Sequence, residues 1–248
     1  MKTTSPLNKL FSDNSGKGVF IVDSESSGDA TIWLYDMIVS DNFFGGGVSA
    51  IDFARQMTAI DARTIHLRID SPGGEIFAAQ AMSQIIREHP AHIIAHIDGL
   101  AASAASWVAL AAAEVVIAPG GMIMIHNSQT IAAGDSRDLK ESAALLEKVD
   151  GLLIATYAEA TGQDPEKISE WMDAETWFSA EEAVQYKFAD RIAGKEDKSA
   201  QNRIQWNLAA WANAPPDHPA NNSGDRPDTI SHLDHLRRRL RLAETKVS

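Results

Sequence analysis

The chain has 248 residues, 44% of them hydrophobic and none of them cysteine, and a formal net charge of -12. That length supports one sizeable core with appendages, and the lack of cysteine excludes disulfides, thiolate metal sites and cysteine nucleophiles. The charge is uneven: 13 Lys and Arg stand against 27 Asp and Glu in residues 1–193, and 9 against 7 in 194–248. So acidic a body argues against general nucleic-acid binding, which needs a basic face.

About eighteen polar residues open the chain. They lack the apolar stretch of a secretory signal, and no window reaches the roughly 18 uninterrupted apolar residues of a membrane helix. The expectation is a soluble cytoplasmic protein whose residues 1–29 form a partly flexible N-terminal segment. ATIWLYDMI (Ala30 to Ile38) then reads as a strand, and NFFGGGVSAIDFARQM as a glycine turn feeding an amphipathic helix. TIHLRID (Thr64 to Asp70) is a strand, SPGG a turn, and Glu75 to His89 a helix stopped by Pro90. The unit repeats: HIIAHID (His92 to Asp98) is a strand, Gly99 a turn, and AASAASWVALAAA a helix. Strands alternating with helical patterns imply an α/β fold of parallel βαβ units.

Short strands EVVIA (Glu114 to Ala118) and MIMIH (Met122 to His126) follow, joined by a PGG turn. A long helix is expected from about Asp135 to Ala160, with Leu139, Ala143, Leu146, Val149, Leu153 and Tyr157 at three- and four-residue steps. Asp164-Pro165 starts a short helix, and Ser179 with Glu182 forms a capping box on another. Beyond Ile192 the composition turns polar and rich in Pro, Asn and Gly, broken by IQWNLAAW, and Ser231 to Lys246 reads as a basic helix. The domain boundary falls near Gly194, leaving 30–193 as the folded domain and 194–248 as linker and flexible basic helix.

Within this pattern Ser103 sits where a strand gives way to a helix, at orphan N–H groups that suit a developing oxyanion. Ser106 lies nearly a turn deeper, and a mid-helix serine commonly bonds back to a helical carbonyl. A nucleophilic serine needs a base, and His126 ends a strand whose tip shares an edge with the turns after Asp70 and Asp98. The other histidines compete poorly: His66 is mid-strand, His89 precedes a proline, and His218, His232 and His235 fall in the tail. His92 and His96 stand roughly 13 Å apart along a strand, too far to share a metal. MDAETWFSAEEA offers Asp173 and Glu175 as carboxylates to orient the base. Gly73 and Gly74 allow a backbone N–H to approach a substrate carbonyl.

SPGG (Ser71 to Gly74), Gly99 to Ser103, Met124 to His126 and Trp177 to Ala183, in this order and spacing, resemble the motifs of the proteolytic subunit of the Clp protease (ClpP) family. The resemblance spans about Ala30 to Ile192. It implies a ClpP/crotonase-type spiral of βαβ units, with the long helix as a projecting handle. It also implies Ser103 as nucleophile, His126 as general base, and the N–H groups of Gly74 and Ala104 as the oxyanion hole, with no metal or organic cofactor. The family's acid is an aspartate; the aligned residue here is Glu175, with Asp173 as its rival.

FFGGGVSAIDFARQM, HIDGLAASAAS and DAETWFSAEEAVQYKFAD resemble one branch in particular, the ClpP-like head maturation proteases of phages and prophages. That narrower likeness implies capsid or scaffold proteins as substrates, in the host cytoplasm or the assembling procapsid. The family as a whole implies protein and peptide substrates, a ring-shaped homo-oligomer (heptamer or double heptamer) and a separate ATP-driven unfoldase; no Walker-type phosphate loop is present in this chain. No membrane partner is expected, and no nucleic acid in the core domain. The competing readings are a general ClpP-like subunit working with an unfoldase, a crotonase-type acyl-CoA enzyme, and a non-catalytic assembly scaffold.

Overall fold

The computed structural model describes residues 6–24, 28–40, 46–194 and 204–215. The basic helix expected at Ser231 to Lys246 lies outside them. Within them an eight-stranded sheet is the frame. Strands β1 (Val19–Ser24) and β2 (Asp29–Tyr35) pair antiparallel. From β2 the sheet runs in parallel through β5 (Thr64–Ser71) and β6 (His92–Ala102) to β7 (Glu114–Ile117) and β10 (Arg191–Ile192). A small parallel pair, β3 (Ile38–Val39) and β4 (Val48–Ser49), stands apart.

The strand β6 is the pivot. Its first half pairs with β7, from Ile94 opposite Glu114 to Ile97 opposite Ile117. Its second half pairs with β8 (Met122–Ile125), from Leu100 opposite Met122 to Ala102 opposite Met124. The turn closed by Gly121 N–H to Ala118 O (2.8 Å) steps the chain from one half to the other. This corrects the expected turn at Gly99: the strand continues to Ala102, because Leu100, Ala101 and Ala102 have a ladder partner in β8. The following helix, α4 (Ala104–Ala109), therefore starts three residues later than the alanine-rich run suggests. On the other flank of β8, β9 (Thr176–Ser179) pairs antiparallel, Ile125 opposite Thr176.

Side-chain alternation divides the sheet into two faces. One face, through Ile65, Leu67 and Ile69 of β5 and Val115 and Ile117 of β7, packs against helices. These are α2 (Ala50–Thr58), α3 (Ile76–Glu88), α4, α6 (Pro165–Asp173), α7 (Ala180–Gln185) and the C-terminal half of α5 (Ser136–Thr161). The caps are those expected: Asp164 with Pro165 opens α6, and Ser179 with Glu182 forms the capping box of α7. In α5 the apolar stripe divides. The buried residues Val149, Leu153 and Tyr157 all lie in its second half, whereas Leu139 and Leu145 in the first are exposed, as is Leu152 on the outer side of the second, so the first half of a helix about 39 Å long projects from the body.

The opposite face carries Arg68, Asp70, His96 and Asp98, all buried. Arg68 pairs with Asp98, which also accepts from Tyr35 Oη. That face is covered by chain the sequence reading left outside the domain: helix α1 (Pro6–Asn14) and residues 204–215. Leu10, Trp206, Leu208 and Trp211 form a cluster there with Leu100, Ala102 and Met124. IQWNLAAW is thus packed chain, and its two tryptophans and leucine are what hold it.

Candidate active site

The pairing of β6 with β8 brings the two chemically important tips together. Ser103 follows Ala102 directly, and its N–H donates to Met124 O at 2.8 Å. His126 follows Ile125. Ser103 Oγ consequently lies 2.7 Å from His126 Nε2, hydrogen-bond distance for a hydroxyl donating to a neutral imidazole. Ser103 has φ 53° and ψ -125°, a conformation costly for a residue with a Cβ. A strained strand-to-helix turn of this kind holds a nucleophile's oxygen out of the backbone.

Burial pushes the His126 imidazole down to about 4. The negative charges of Glu175 and Asp150 and the nearby Asn127 main chain offset only part of this. The shift keeps the ring neutral at pH 7, and the Ser103 hydroxyl donates to Nε2 in the tautomer that carries its proton on Nδ1. Its Nδ1 is buried and no side chain bonds it, while the nearby Asn127 main chain favours the charged form. One ring face is covered by Trp211, centroids 4.5 Å apart and planes at 54°.

Of the two carboxylates, Glu175 occupies the position that faces His126, one step beyond the last ladder pair, Ile125 with Thr176. Its backbone is left-handed, φ 47°. The carboxylate, however, accepts from Ala212 N–H (2.9 Å), Asn213 N–H (2.7 Å) and Trp177 Nε1 (3.3 Å). Asp173, at the end of α6, accepts from Asn127 Nδ2 at 2.7 Å. Neither carboxylate bonds the imidazole, and Glu175 acts on it as a neighbouring charge.

The SPGG loop lies against Ser103. A Cβ on Gly73 would sit 2.5 Å from Ala102 O and 2.9 Å from Ser103 Cβ, and one on Gly74 only 1.9 Å from Ile38 O. Both glycines have positive φ, 92° and 146°, so no side chain fits either place. Ile38 N–H donates to Gly73 O and Glu75 N–H to Ile38 O, a bridge in which the Gly74 N–H takes no part. Ala104 N–H, first in α4, has no intrahelical acceptor. Gly74, Ala104, Ser103 and His126 all line one cleft of about 260 Å³, whose apolar walls include Leu10, Phe77, Leu153 and Trp211.

Ser106 has a different setting. Its Oγ donates to Ser103 O (2.7 Å) and lies 2.9 Å from Tyr157 Oη. Both side chains are buried, and burial pushes the Tyr157 phenol up to about 12. The hydroxyl pair ties α4 to α5 behind Ser103. Among the described residues no cluster of three or more His, Asp or Glu forms a metal site, and no helix is long and apolar enough to cross a membrane.

Residues 48–196, more than half of the chain, match the family model described as Clp protease. The chain belongs to the Clp protease family. As a Clp-type serine endopeptidase it is 28% identical over 170 residues to the ATP-dependent Clp protease proteolytic subunit 1 of Leifsonia xyli subsp. xyli, covering 66% of this chain and 83% of that one. It is 33% identical over 144 residues to the subunit 1 of Streptomyces avermitilis, covering 57% and 66%. Among solved structures, a point mutant of ClpP1 from Listeria monocytogenes superposes with a TM-score of 0.55 at 26% identity, covering 67% of this chain and 92% of that one. The α/β architecture is thus the ClpP fold. The family match ends at residue 196, so it leaves out Trp211, Ala212 and Asn213, which touch the imidazole and the Glu175 carboxylate. The one signal in the sequence, for Trp211 alone, is the aromatic and aliphatic spacing of IQWNLAAW within an otherwise polar stretch.

Proposed function

We propose that Ser103 is the nucleophile of a peptide-bond hydrolase and His126 its general base. The observation that carries this is the 2.7 Å contact between Ser103 Oγ and a neutral His126 Nε2 at the mouth of a cleft. Nε2 takes the hydroxyl proton as Oγ attacks the carbonyl carbon. The resulting oxyanion is held by the Gly74 and Ala104 N–H groups, and removing one such donor typically costs about 10²- to 10³-fold in rate. His126 then passes its proton to the leaving amine, and a water activated by the same nitrogen releases the acyl-enzyme. Glu175, fixed beside the ring, stabilises the imidazolium that forms in each half-reaction.

The substrate class of this reading is capsid or scaffold protein, cleaved during phage head maturation in the host cytoplasm or procapsid. It is supported by the likeness of FFGGGVSAIDFARQM, HIDGLAASAAS and DAETWFSAEEAVQYKFAD to that branch. The exposed leucines of α5 support a homo-oligomeric ring in which handles from neighbouring copies cover Leu139, Leu145 and Leu152. A separate ATP-driven unfoldase is the partner on the alternative reading, a general Clp subunit, which the likeness to ATP-dependent Clp protease proteolytic subunits favours.

Co-expression with the major capsid precursor of the same genome separates the two. Head maturation requires a truncated capsid protein with wild-type enzyme, absent with Ser103→Ala and independent of any ATPase. An intact precursor beside an enzyme that hydrolyses short peptides assigns the chain to general proteolysis instead.

A further inference from the structure

Residues 204–215 are anchored on the sheet and end on the site. Asp70 accepts from Ile204 N–H (2.9 Å) and from Trp206 Nε1 (3.0 Å). Asn207 N–H donates to Asn14 Oδ1 (2.7 Å), and Asn14 Nδ2 returns a bond to Asn207 O (2.9 Å). These contacts bury Trp206 and Leu208 and would suffice to hold the segment. Yet the next residues select the two groups that matter for catalysis. Trp211 covers the His126 ring, and the Ala212 and Asn213 amides take the Glu175 carboxylate. Asn213 Nδ2 also donates to Ala174 O at 2.8 Å, fixing the backbone that carries Glu175.

A general base must keep its ring aimed at the hydroxyl through the reaction, and in Ser-His-acid sites the acid does this through a bond to Nδ1. Here Nδ1 has no such bond. The ring meets Ser103 Oγ at one edge and Trp211 on one face, with the Asn127 main chain close by.

We propose that residues 211–213 are a working part of the catalytic site: Trp211 is the positioning residue that holds His126 against Ser103, and the Ala212 and Asn213 N–H groups fix Glu175 as a charge beside it. This rests on the reading of His126 as general base. The charged groups facing the imidazole are Glu175, preceding β9, and Asp150 of α5. Neither charge is carried by the indole, so a rise in the ring's titration on removing it reports the loss of its cover.

The test compares Trp211→Ala, Trp211→Leu and Trp211→Phe in the full chain by peptide hydrolysis. Each is also made in a Ser103→Ala background, where the His126 midpoint is followed by NMR without any need for turnover. An uncovered, mobile base should lower kcat by about 100-fold, as a misplacement near 1 Å does, with KM changed by less than about threefold. Phe, which keeps a flat ring over the imidazole, should restore most of kcat. The midpoint should rise from about 4 toward 6.5 in the Ala variant and stay low in the Phe variant. If Trp211→Ala does not fold, Trp211→Leu, which keeps the volume without the flat face, should show the same kcat loss. Wild-type kcat with an unmoved midpoint in the Ala or Leu variant overturns the proposal, as does a gain in activity. A wild-type chain that hydrolyses no peptide, while the midpoint still moves, contradicts the assignment of Ser103 and His126 and leaves the Trp211 contact standing.

Discussion

Ala102 lies opposite Met124 in the parallel ladder, and this register sets the site. One residue further along each strand the chains diverge. Ser103 turns into α4 while its N–H still reaches Met124 O, and His126 comes two positions after Met124, its ring meeting the Ser103 hydroxyl. A slip of the ladder by one residue would turn the facing side chains over and separate the pair.

The buried state of His126 gives two pH dependences. Folded, the imidazole titrates near 4; its ordinary value is 6.5. Above pH 6.5 folded and unfolded chains are both neutral at this group. As pH falls from 6.5 to 4 the unfolded chain takes up a proton that the folded one refuses, so stability is lost, by about 3 kcal/mol at the limit. Thermal melts should therefore fall more steeply over that window in the wild type than in His126→Gln. For the same reason the acid limb of kcat/KM for a short peptide should lie near 4. An acid limb close to 6.5 would mean that the working imidazole is exposed to solvent.

The SPGG loop admits no side chain beside Ser103. Gly74→Ala would set a Cβ 1.9 Å from Ile38 O, so the loop must move and carry the Gly74 N–H with it. A fall in kcat of about 10²-fold or more is expected, with a serine probe still reaching Ser103 slowly. Unchanged kcat in steady-state assays would remove Gly74 from the oxyanion hole.

Ser106 and Tyr157 should behave as a coupled structural pair. Ser106→Ala leaves a buried phenol without its partner, a loss of about 1–3 kcal/mol in denaturant unfolding. Tyr157→Phe in the same chain should recover part of that loss, so the two changes add to less than their sum. Labelling of Ser103 should persist in both. Abolished labelling in Ser106→Ala, with the fold intact, would give Ser106 a chemical role.

The exposed leucines of α5 give a test of assembly. Wild-type protein should scatter light well above its monomer mass of 26.9 kDa. Leu145→Glu with Leu152→Glu, on the projecting helix, should shift it toward that mass, since a charge buried in an apolar interface without a partner is costly. Wild type that is monomeric at micromolar concentration contradicts a ring.

Much of the site was legible because motif spacing and topology agree. SPGG and MIMIH are short, bounded by glycines or β-branched runs, and their strands end at one edge of the sheet. The caps of α6 and α7 depend on local chemistry and could be read directly. The extent of β6 could not, because Gly99 and the alanines after it favour a turn or helix in isolation. Only pairing with β8 keeps Leu100 to Ala102 extended, and a nonlocal partner leaves no mark on local propensity. Trp206 and Trp211 were obscure for a related reason: they pack on Asp70 and His126, more than eighty residues earlier in the chain, amid polar residues that read as linker. The two bonds from 212 and 213 to Glu175 are made by main-chain amides, which carry no sequence signature at all.

Labelling with a fluorophosphonate, followed by peptide mapping, tests the central assignment most directly. A nucleophilic Ser103 activated by His126 requires one labelled peptide, containing Ser103, with the label lost in Ser103→Ala, strongly slowed in His126→Ala and retained in Ser106→Ala. Label that survives Ser103→Ala, or wild-type protein that takes up none, would contradict it.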